Sequence, residues 1–151
     1  MSSEHGKTKV LFICVHNSAR SQIAEEYLRT FGGDLFEVES AGLEPGELNP
    51  LVVKALQEDG IDIAGKKTRS VWDVYQAGNT YHYVIAVCSR EAEQKCPIFP
   101  GNAEKRHWPY PDPEKFEGSE DEVLQKIREL RNVLREQIKQ FVDAFKNKEL
   151  V

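Results

Sequence analysis

One stretch near the N-terminus constrains the fold of this 151-residue chain more than any other feature. An apolar run at residues 10–13 ends at Cys14, and a short polar loop leads through Arg20 and Ser21 into a helical pattern. A strand, a tight loop and a helix N-terminus in this order build an anion site, because successive backbone N–H groups converge where the helix dipole is positive. The stretch therefore predicts a cysteine nucleophile that faces a bound oxyanion.

Composition limits the class of protein. Hydrophobic residues make up 40% of the chain and charged residues 30%, as in a globular domain. We expect a flexible lead-in at residues 1–8 and a single catalytic domain at residues 9–148 that works as a monomer. The net charge of -5 argues against general affinity for nucleic acid or acidic membranes. Because no apolar run could span a bilayer or serve as a signal peptide, we expect a cytoplasmic protein with no membrane partner.

Strand-like and helical patterns alternate along the chain, and this alternation predicts a three-layer α/β fold with a parallel sheet. The predicted strands are residues 9–14, 35–40, 81–88 and 106–108. The predicted helices are residues 21–32, 50–59 and 69–75, and a long amphipathic helix after the capping box at 119–122. Residues 89–96 form a short helix or a loop. We expect Ser18 or Ser21 to cap the first helix, and Asn49, which precedes Pro50, to cap the second.

The loop after the first strand supplies groups that activate a thiol. A free thiol has a pKa of about 8.5 and reacts poorly near neutral pH unless its environment lowers that pKa. Backbone N–H groups, the Arg20 guanidinium and the hydroxyls of Ser18 and Ser21 all favour the thiolate, and Arg20 matches two oxygens of a tetrahedral anion. Asn17 is expected to hold the loop through local side-chain to backbone hydrogen bonds. We give His16 no catalytic role and expect it to pack in the loop or face solvent. The predicted oxyanion-binding residues are Cys14, Val15, His16, Asn17, Ser18, Ala19, Arg20 and Ser21.

The sequence from Cys14 to Ser21 has the pattern C-x5-R-[ST], and residues 40–42 (Ser-Ala-Gly) and Asp112-Pro113 follow later in the chain. In these features the chain resembles the low-molecular-weight protein tyrosine phosphatase superfamily over roughly residues 9–146. The resemblance implies a flavodoxin-like sheet of four parallel strands. It also implies Cys14 as the nucleophile, Arg20 as the clamp on the oxyanion, and Asp112 as the general acid for the departing oxygen.

Two further cysteines, Cys88 and Cys96, separate this chain from a simple phosphatase, which needs only one. Cys88 ends a predicted strand, so it falls on the same sheet edge as Cys14. The segment resembles the redox segment of thioredoxin-coupled arsenate reductases, a branch of the same fold. That resemblance implies that Cys14 attacks arsenate, that Cys88 then attacks Cys14 and releases arsenite, and that Cys96 carries the disulfide to the surface. An external dithiol, thioredoxin in that family, reduces it, and no cofactor is bound.

Such a relay needs a mobile segment between Cys88 and Cys96, because a disulfide forms only when the Cα atoms come within about 7 Å. The polar residues 89–95 offer few apolar anchors and are compatible with local unwinding.

The sequence leaves three hypotheses open. The leading one is arsenate reduction. The second is a low-molecular-weight protein tyrosine phosphatase that hydrolyses phosphomonoesters through Cys14, and the third is an oxyanion-binding or redox-sensing module without catalysis. The residues after Asp112-Pro113 are not the tyrosine pair of many tyrosine phosphatases, which favours a small inorganic oxyanion. His5, His82 and His107 do not share a recognised ligand spacing with the cysteines, so we expect no metal site.

Overall fold

A sheet of four parallel strands forms the centre of the computed structural model, which describes residues 6–150. The strands are β1 (Thr8–Cys14), β2 (Phe36–Gly42), β3 (Tyr83–Ala86) and β4 (Glu104–His107). They lie in the order β2-β1-β3-β4, so β1 is an interior strand. Helices pack on both faces of this sheet, which confirms the predicted three-layer α/β fold with a flavodoxin-like parallel sheet.

In the described part of the chain, the α-helices are α1 (Arg20–Gly32), α2 (Pro50–Gln57), α3 (Val71–Gln76), α4 (Arg90–Glu93) and α5 (Glu120–Leu150). A 3₁₀ turn spans Pro113–Lys115. The larger hydrophobic cluster joins one sheet face to α1, α2 and α5, and the smaller cluster joins the other face to α3. The sheet is therefore the middle layer of three.

The central strand explains why the run at residues 10–13 is continuously apolar. Val10 and Phe12 belong to the cluster with α1 and α5, whereas Leu11 and Ile13 belong to the cluster with α3. Alternate side chains of a strand point to opposite faces, and here both faces are covered. All four side chains are accordingly fully buried.

The strand register brings the ends of three strands to one edge of the sheet. Cys14 pairs with Gly42 of β2, and the Val87 N–H, just past β3, donates to the Ile13 carbonyl at 2.9 Å. Cys88 follows directly, so it lies at the same edge as Cys14, as predicted. This edge is where ligands of open parallel sheets bind.

Several predicted boundaries are shifted. Thr8 belongs to β1, where its N–H donates to the Leu35 carbonyl at 2.9 Å, so the first strand begins one residue before the predicted residue 9; residues 1–5 of the predicted lead-in lie outside the described residues. The third strand is shorter than residues 81–88 because its ladder with β1 covers only Tyr83–Ala86. The fourth strand starts at Glu104, which pairs with Tyr83, and ends before Trp108.

The predicted serine cap on α1 is wrong. The residue before the helix is Ala19, and its side chain makes no capping hydrogen bond. The Ser21 hydroxyl lies 2.9 Å from Cys14 Sγ and accepts from Asn17 Nδ2 at 2.8 Å. This serine therefore contacts the thiol and the loop rather than the end of the helix.

The other two predicted caps are confirmed. The Asn49 side chain accepts from the Leu51 N–H at 2.9 Å, and Pro50 is the first residue of α2. At the start of α5, the Glu122 carboxylate accepts from the Ser119 N–H at 2.9 Å, and the Ser119 hydroxyl accepts from the Glu122 N–H at 3.2 Å. Reciprocal bonds of this kind define a capping box.

Candidate active site

In the cysteine loop, residues 14–21, the first five carbonyl groups all accept hydrogen bonds from the surrounding structure. The carbonyls of residues 14–18 accept hydrogen bonds from the backbone N–H groups of Leu43, Glu44, Gly46 and Asn49 and from the side chain of Gln22. In a peptide unit the N–H points away from the C=O. The N–H groups of residues 15–19 therefore face the opposite side, which is the arrangement that binds anions.

Gly42, at the end of β2, allows the chain to pass very close to this loop. A Cβ atom at Gly42 would lie 2.7 Å from Asn17 N and 2.8 Å from both His16 C and Val15 O. These are backbone atoms in a buried loop, so they cannot yield as a flexible side chain would. The glycine of the Ser-Ala-Gly sequence at residues 40–42 thus has a steric reason.

Asn17 fixes the shape of the loop, but not through the local backbone bonds that the sequence predicts. Its φ of 55° is left-handed, a conformation that asparagine tolerates better than most residues. Its amide nitrogen donates to the hydroxyls of Ser21 and Ser40 at 2.8 and 2.9 Å. Its amide oxygen accepts from the backbone N–H of Arg69 at 2.9 Å. The prediction is therefore corrected: the partners are two hydroxyls, the side-chain amide of Gln22, and the backbone of a residue 52 positions away.

The Cys14 sulfur lies inside the curve of the loop, where it is 2% exposed. The Asn17 N–H donates to it at 3.2 Å, and the Ser21 hydroxyl lies at 2.9 Å. An N–H donor aimed at sulfur suits a thiolate better than a thiol, because the thiolate is the stronger acceptor. The loop therefore holds the thiol in the geometry of an attacking group.

Arg20 and Asp112 are brought together, as the resemblance implied. The Arg20 side chain is 5% exposed, and its Nη2 lies 3.8 Å from Asp112 Oδ2. Its Nη1 donates to the Tyr110 carbonyl at 3.1 Å, which ties the arginine to the loop that carries the acid. Asp112 Oδ1 accepts from the Glu114 N–H at 3.0 Å and so starts the 3₁₀ turn.

His16 has the packing position that the sequence predicts. Its side chain is half-buried, and its Nδ1 lies 2.9 Å from the Glu44 carbonyl oxygen. The carbonyl of His16 accepts from the Gly46 N–H at 3.0 Å, so this residue joins the cysteine loop to the segment after β2.

Cys88 is fully buried at the end of β3. Burial raises the pKa of its thiol to about 11; negative charge on Cys14 adds to the shift, and Arg20 opposes it. These influences arise because the two thiols and the guanidinium occupy one edge of the sheet. The His107 ring nitrogen Nε2 lies 2.6 Å from the Cys88 carbonyl oxygen and connects this position to the end of β4.

Cys96 is half-buried and follows α4. Burial raises the pKa of its thiol to about 12, with smaller contributions from negative charge on Cys88 and Glu93. All three cysteines carry free thiols. None of residues 89–96 is fully buried, and the next buried side chain is Phe99, which packs against Tyr81. The segment from 89 to 96 therefore has the few anchors that the sequence predicts.

A cavity of about 470 Å³ lies beneath this segment. The sheet side is lined by Ile13, Val84 and Ala86, and the segment side includes Cys96, Ile98 and Phe99. The Ile98 side chain is 75% exposed although it borders the cavity. Empty space on one side and solvent on the other leave the segment loosely held.

Sequence reasoning assigned no role to Glu25, a buried carboxylate behind the loop. It is 5% exposed on α1, and its Oε1 accepts from the Ser40 hydroxyl at 2.5 Å. Burial raises the pKa of Glu25, but the charge of Lys66 and hydrogen bonds from Lys66, Ser40 and Arg29 outweigh burial and hold it below its usual value. The available signal was its spacing, since Glu25 falls on the apolar stripe of α1, three residues before Leu28.

Among residues 6–150, no group of three or more His, Cys, Asp or Glu side chains is arranged to hold a metal ion. In the same part of the chain, no helix combines the length and apolar character needed to cross a bilayer.

The site combines a phosphate-binding type of loop with an arginine and a distant aspartate at its mouth. The loop joins the central strand of a parallel sheet to the first helix. This combination defines a family of cysteine-dependent enzymes. The family model described as low molecular weight phosphotyrosine protein phosphatase matches residues 9–150, and the chain belongs to this family.

Within the family, the chain is similar to arsenate reductases. It is 39% identical over 138 residues to the arsenate reductase of Bacillus licheniformis, with 91% of this chain and 97% of that protein covered. An arsenate reductase solved in an oxidized state aligns with a TM-score of 0.75 and 27% identity over 91% of this chain and 98% of that one. The thioredoxin-dependent arsenate reductase of Corynebacterium glutamicum aligns with a TM-score of 0.62 and 32% identity over 91% of this chain and 67% of that one.

Proposed function

We propose that this protein reduces arsenate to arsenite through a Cys14 adduct and a relay of disulfides among Cys14, Cys88 and Cys96. The similarity to curated arsenate reductases over nearly the whole chain supports the overall reaction. The observation that carries the relay is the arrangement of three free thiols: one inside the cysteine loop, one buried at the adjacent strand end, and one half-buried beyond it. A hydrolytic enzyme has no use for the second and third.

The first step is attack of the Cys14 thiolate on arsenic. The inward N–H groups of the loop and the Arg20 guanidinium hold the oxygens of the oxyanion, which develop charge as the sulfur approaches. A sulfur–arsenic bond forms, an arsenic–oxygen bond breaks, and Asp112 delivers the proton that the departing oxygen needs. The carboxyl group stands at the mouth of the loop, beside Arg20.

The second step is attack of the Cys88 thiolate on Cys14 Sγ. The sulfur–sulfur bond forms as the sulfur–arsenic bond breaks, and the electron pair of that bond stays on arsenic, which leaves as arsenite. Arsenic is reduced by two electrons, and the two thiols are oxidised to a disulfide. Burial raises the pKa of Cys88, so movement at the start of the 88–96 segment that exposes this thiol favours the step.

The third step moves the disulfide outward. Cys96 attacks Cys88, which frees Cys14 and leaves a Cys88–Cys96 disulfide that an external dithiol reduces. We propose a thioredoxin as that dithiol, supported by the thioredoxin dependence of the Corynebacterium relative. We further propose that residues 9–148 act as one catalytic domain, that the protein is a monomer without a bound cofactor, and that it works in the cytoplasm, where dithiols are kept reduced.

Phosphomonoester hydrolysis through Cys14 is the second candidate. It is favoured by one observation: the loop, Arg20 and Asp112 form a complete set for phosphoryl transfer that does not involve Cys88 or Cys96. In this reaction the Cys14 thiolate attacks phosphorus, a sulfur–phosphorus bond forms as the ester phosphorus–oxygen bond breaks, and Asp112 protonates the departing alcohol. Water then attacks the thiophosphate, gives its proton to the Asp112 carboxylate, and releases phosphate and the Cys14 thiolate.

Separate Cys88→Ser and Cys96→Ser variants distinguish the candidates. With arsenate, thioredoxin and its reductase, we expect each variant to lose at least about a thousandfold in turnover. Cys96→Ser still releases one equivalent of arsenite, because Cys88 can resolve the adduct, whereas Cys88→Ser releases none.

The matched assay is hydrolysis of p-nitrophenyl phosphate, which depends only on Cys14. Activity there is retained in both variants and lost in Cys14→Ser. If the wild-type protein shows no arsenate-dependent oxidation of a dithiol, reduction is the wrong assignment. Binding of arsenate or phosphate without turnover of either substrate would identify an oxyanion-binding module instead.

A further inference from the structure

A chain of polar contacts connects the back of the cysteine loop to a lysine from another part of the fold. Lys66, in the connection after α2, lies with its Nζ 2.8 Å from Glu25 Oε1 and 2.6 Å from Glu26 Oε2. Its side chain is 26% exposed, and that of Glu25 is 7% exposed. The ammonium group therefore neutralises a carboxylate that is almost removed from water.

The same Glu25 oxygen serves the loop. The Ser40 hydroxyl donates to Glu25 Oε1 at 2.5 Å, and Ser40 in turn accepts from Asn17 Nδ2 at 2.9 Å. Asn17 Nδ2 also donates to the Ser21 hydroxyl at 2.8 Å, and that hydroxyl contacts Cys14 Sγ. Four contacts thus separate the carboxylate from the sulfur.

The direction of these bonds depends on the charge of Glu25. A hydroxyl has one hydrogen, and Ser40 can turn its lone pairs toward the Asn17 amide only while its hydrogen goes to Glu25. A protonated Glu25 could donate to Ser40 instead, and the freed Ser40 hydrogen would then oppose the N–H of Asn17. An ionised Glu25 can only accept, so it fixes the Ser40 hydrogen and leaves a Ser40 lone pair for the Asn17 amide, as observed.

Two cations contact Glu25, but they do not have equal roles. Arg29 Nη2 donates to the other oxygen, Oε2, at 2.5 Å, and the arginine side chain is 47% exposed. Lys66 shares Oε1 with Ser40 and comes from a segment whose neighbour Arg69 also holds Asn17 through its backbone. Lys66 is the cation placed at the atom that organises the loop.

We propose that Lys66 is a positioning residue for the nucleophile: its ammonium group keeps Glu25 ionised, so that Ser40 and Asn17 hold the cysteine loop in its reactive shape. The inference rests on the proposed role of Cys14 as nucleophile. It goes further in assigning part of the reactivity of Cys14 to a lysine that contacts neither the sulfur nor the oxyanion.

The test measures the rate of Cys14 alkylation by iodoacetamide against pH in a Cys88→Ser, Cys96→Ser background, where only one thiol reacts. In Lys66→Met we expect the pH profile to move upward by about half a unit and the rate at neutral pH to fall about threefold. Lys66→Arg retains most of the original rate because it keeps the charge. Lys67→Met is the matched control, since this neighbouring lysine is exposed, and its profile stays in place.

Chemical rescue adds an outcome that a purely structural role does not produce. In Lys66→Ala, methylammonium restores the alkylation profile, whereas tetramethylammonium at the same ionic strength is too large for the site and does not. Glu25→Gln shifts the profile like Lys66→Met, and combining the two substitutions adds nothing further. An unchanged profile in Lys66→Met overturns the inference, even if thermal stability falls. Because arsenate is absent from the assay, failure of arsenate reduction is a separate result.

Discussion

The cysteine loop and the 88–96 segment both place a thiol at one edge of the sheet, but their backbones are held in opposite ways. In the loop, five successive carbonyls are bonded to neighbouring segments, and residues 17–21 are buried. In the segment, none of residues 89–96 is fully buried, and a cavity of about 470 Å³ lies underneath. Cys14 is fixed in the loop, Cys88 is buried at the strand end, and Cys96 lies where the chain is loosely packed.

This difference fits two kinds of chemistry. Attack on a bound tetrahedral anion is faster when the binding groups are already in place, because the N–H donors then need no reorganisation as charge develops. Passing a disulfide along three thiols requires motion, because each exchange brings a different pair of Cα atoms within about 7 Å. A disulfide relay that begins with attack on an anion therefore needs a rigid region next to a loosely packed one.

The most damaging change to the rigid region is predicted to be Gly42→Ala. The added Cβ would lie 2.7 Å from Asn17 N, so the loop backbone has to move. Since a displacement of about 1 Å near reacting groups can cost 10²-fold, we expect kcat/KM for arsenate to fall about a hundredfold.

The matched control is Gly46→Ala, which touches the same loop at an ordinary distance. Its Cβ would lie 3.7 Å from His16 Cβ, and we expect kcat/KM within about threefold of wild type. Equal effects of the two substitutions would show that contact with the loop is not what makes Gly42 necessary.

Much of the rigid region follows from sequence because its signals are local. The apolar run at residues 10–13 predicts a strand covered on both faces, and Cys14, Arg20 and Ser21 follow at a spacing that predicts the loop. The partners of Asn17 do not follow in this way, because Arg69 reaches it only after the connection beyond α2 folds back. The predicted serine cap on α1 was wrong for a related reason. Ser21 contacts the Cys14 thiol instead, and capping preferences alone do not predict that contact.

For the loosely packed segment, the sequence predicted only a lack of apolar anchors, from its polar composition. Polar residues 89–95 indicated few anchors, but the cavity also depends on Ile13, from a strand far away in sequence. The pairing of the buried acid Glu25 with Lys66 was likewise hidden, because the two residues are far apart in the sequence. Long-range placement of polar groups is therefore the part that pattern reasoning does not reach.

The second prediction uses the thiols of the loose region. Burial raises the pKa of Cys96 to about 12, so the thiolate is scarce at neutral pH. As long as the pH stays below that pKa, each rise of one pH unit makes the thiolate about tenfold more abundant. In a Cys14→Ser, Cys88→Ser variant, we expect the iodoacetamide rate of Cys96 to rise tenfold per unit from pH 8 to pH 10 or beyond. In urea the rise levels off near the ordinary thiol pKa of about 8.5. A plateau near that pH in the folded protein would mean that the segment is already open.

The third prediction fills the cavity beneath the segment. Ala103 lines it, and Ala103→Leu reduces the space into which residues 93–99 can shift. We expect formation of the Cys88–Cys96 disulfide after one equivalent of arsenate to slow about threefold, because overpacking opposes the rearrangement. Trapping with an alkylating reagent and mass spectrometry measures the rate. The same substitution at exposed Ala77, outside the cavity, leaves it unchanged. Faster disulfide formation in Ala103→Leu would assign the cavity another role.

The smallest effect is expected at His16, which lies in the rigid loop but contacts only its support. Its Nδ1 meets the Glu44 carbonyl oxygen at 2.9 Å, and an asparagine can place an amide N–H near the same point. We therefore expect His16→Asn to change kcat/KM for arsenate by less than about twofold. The neighbouring substitution Asn17→Ala removes bonds to two hydroxyls and to the Arg69 backbone and is the sensitive counterpart. A large loss in His16→Asn would mean that the imidazole takes part in binding the oxyanion, and the rigid region would then include a titratable group.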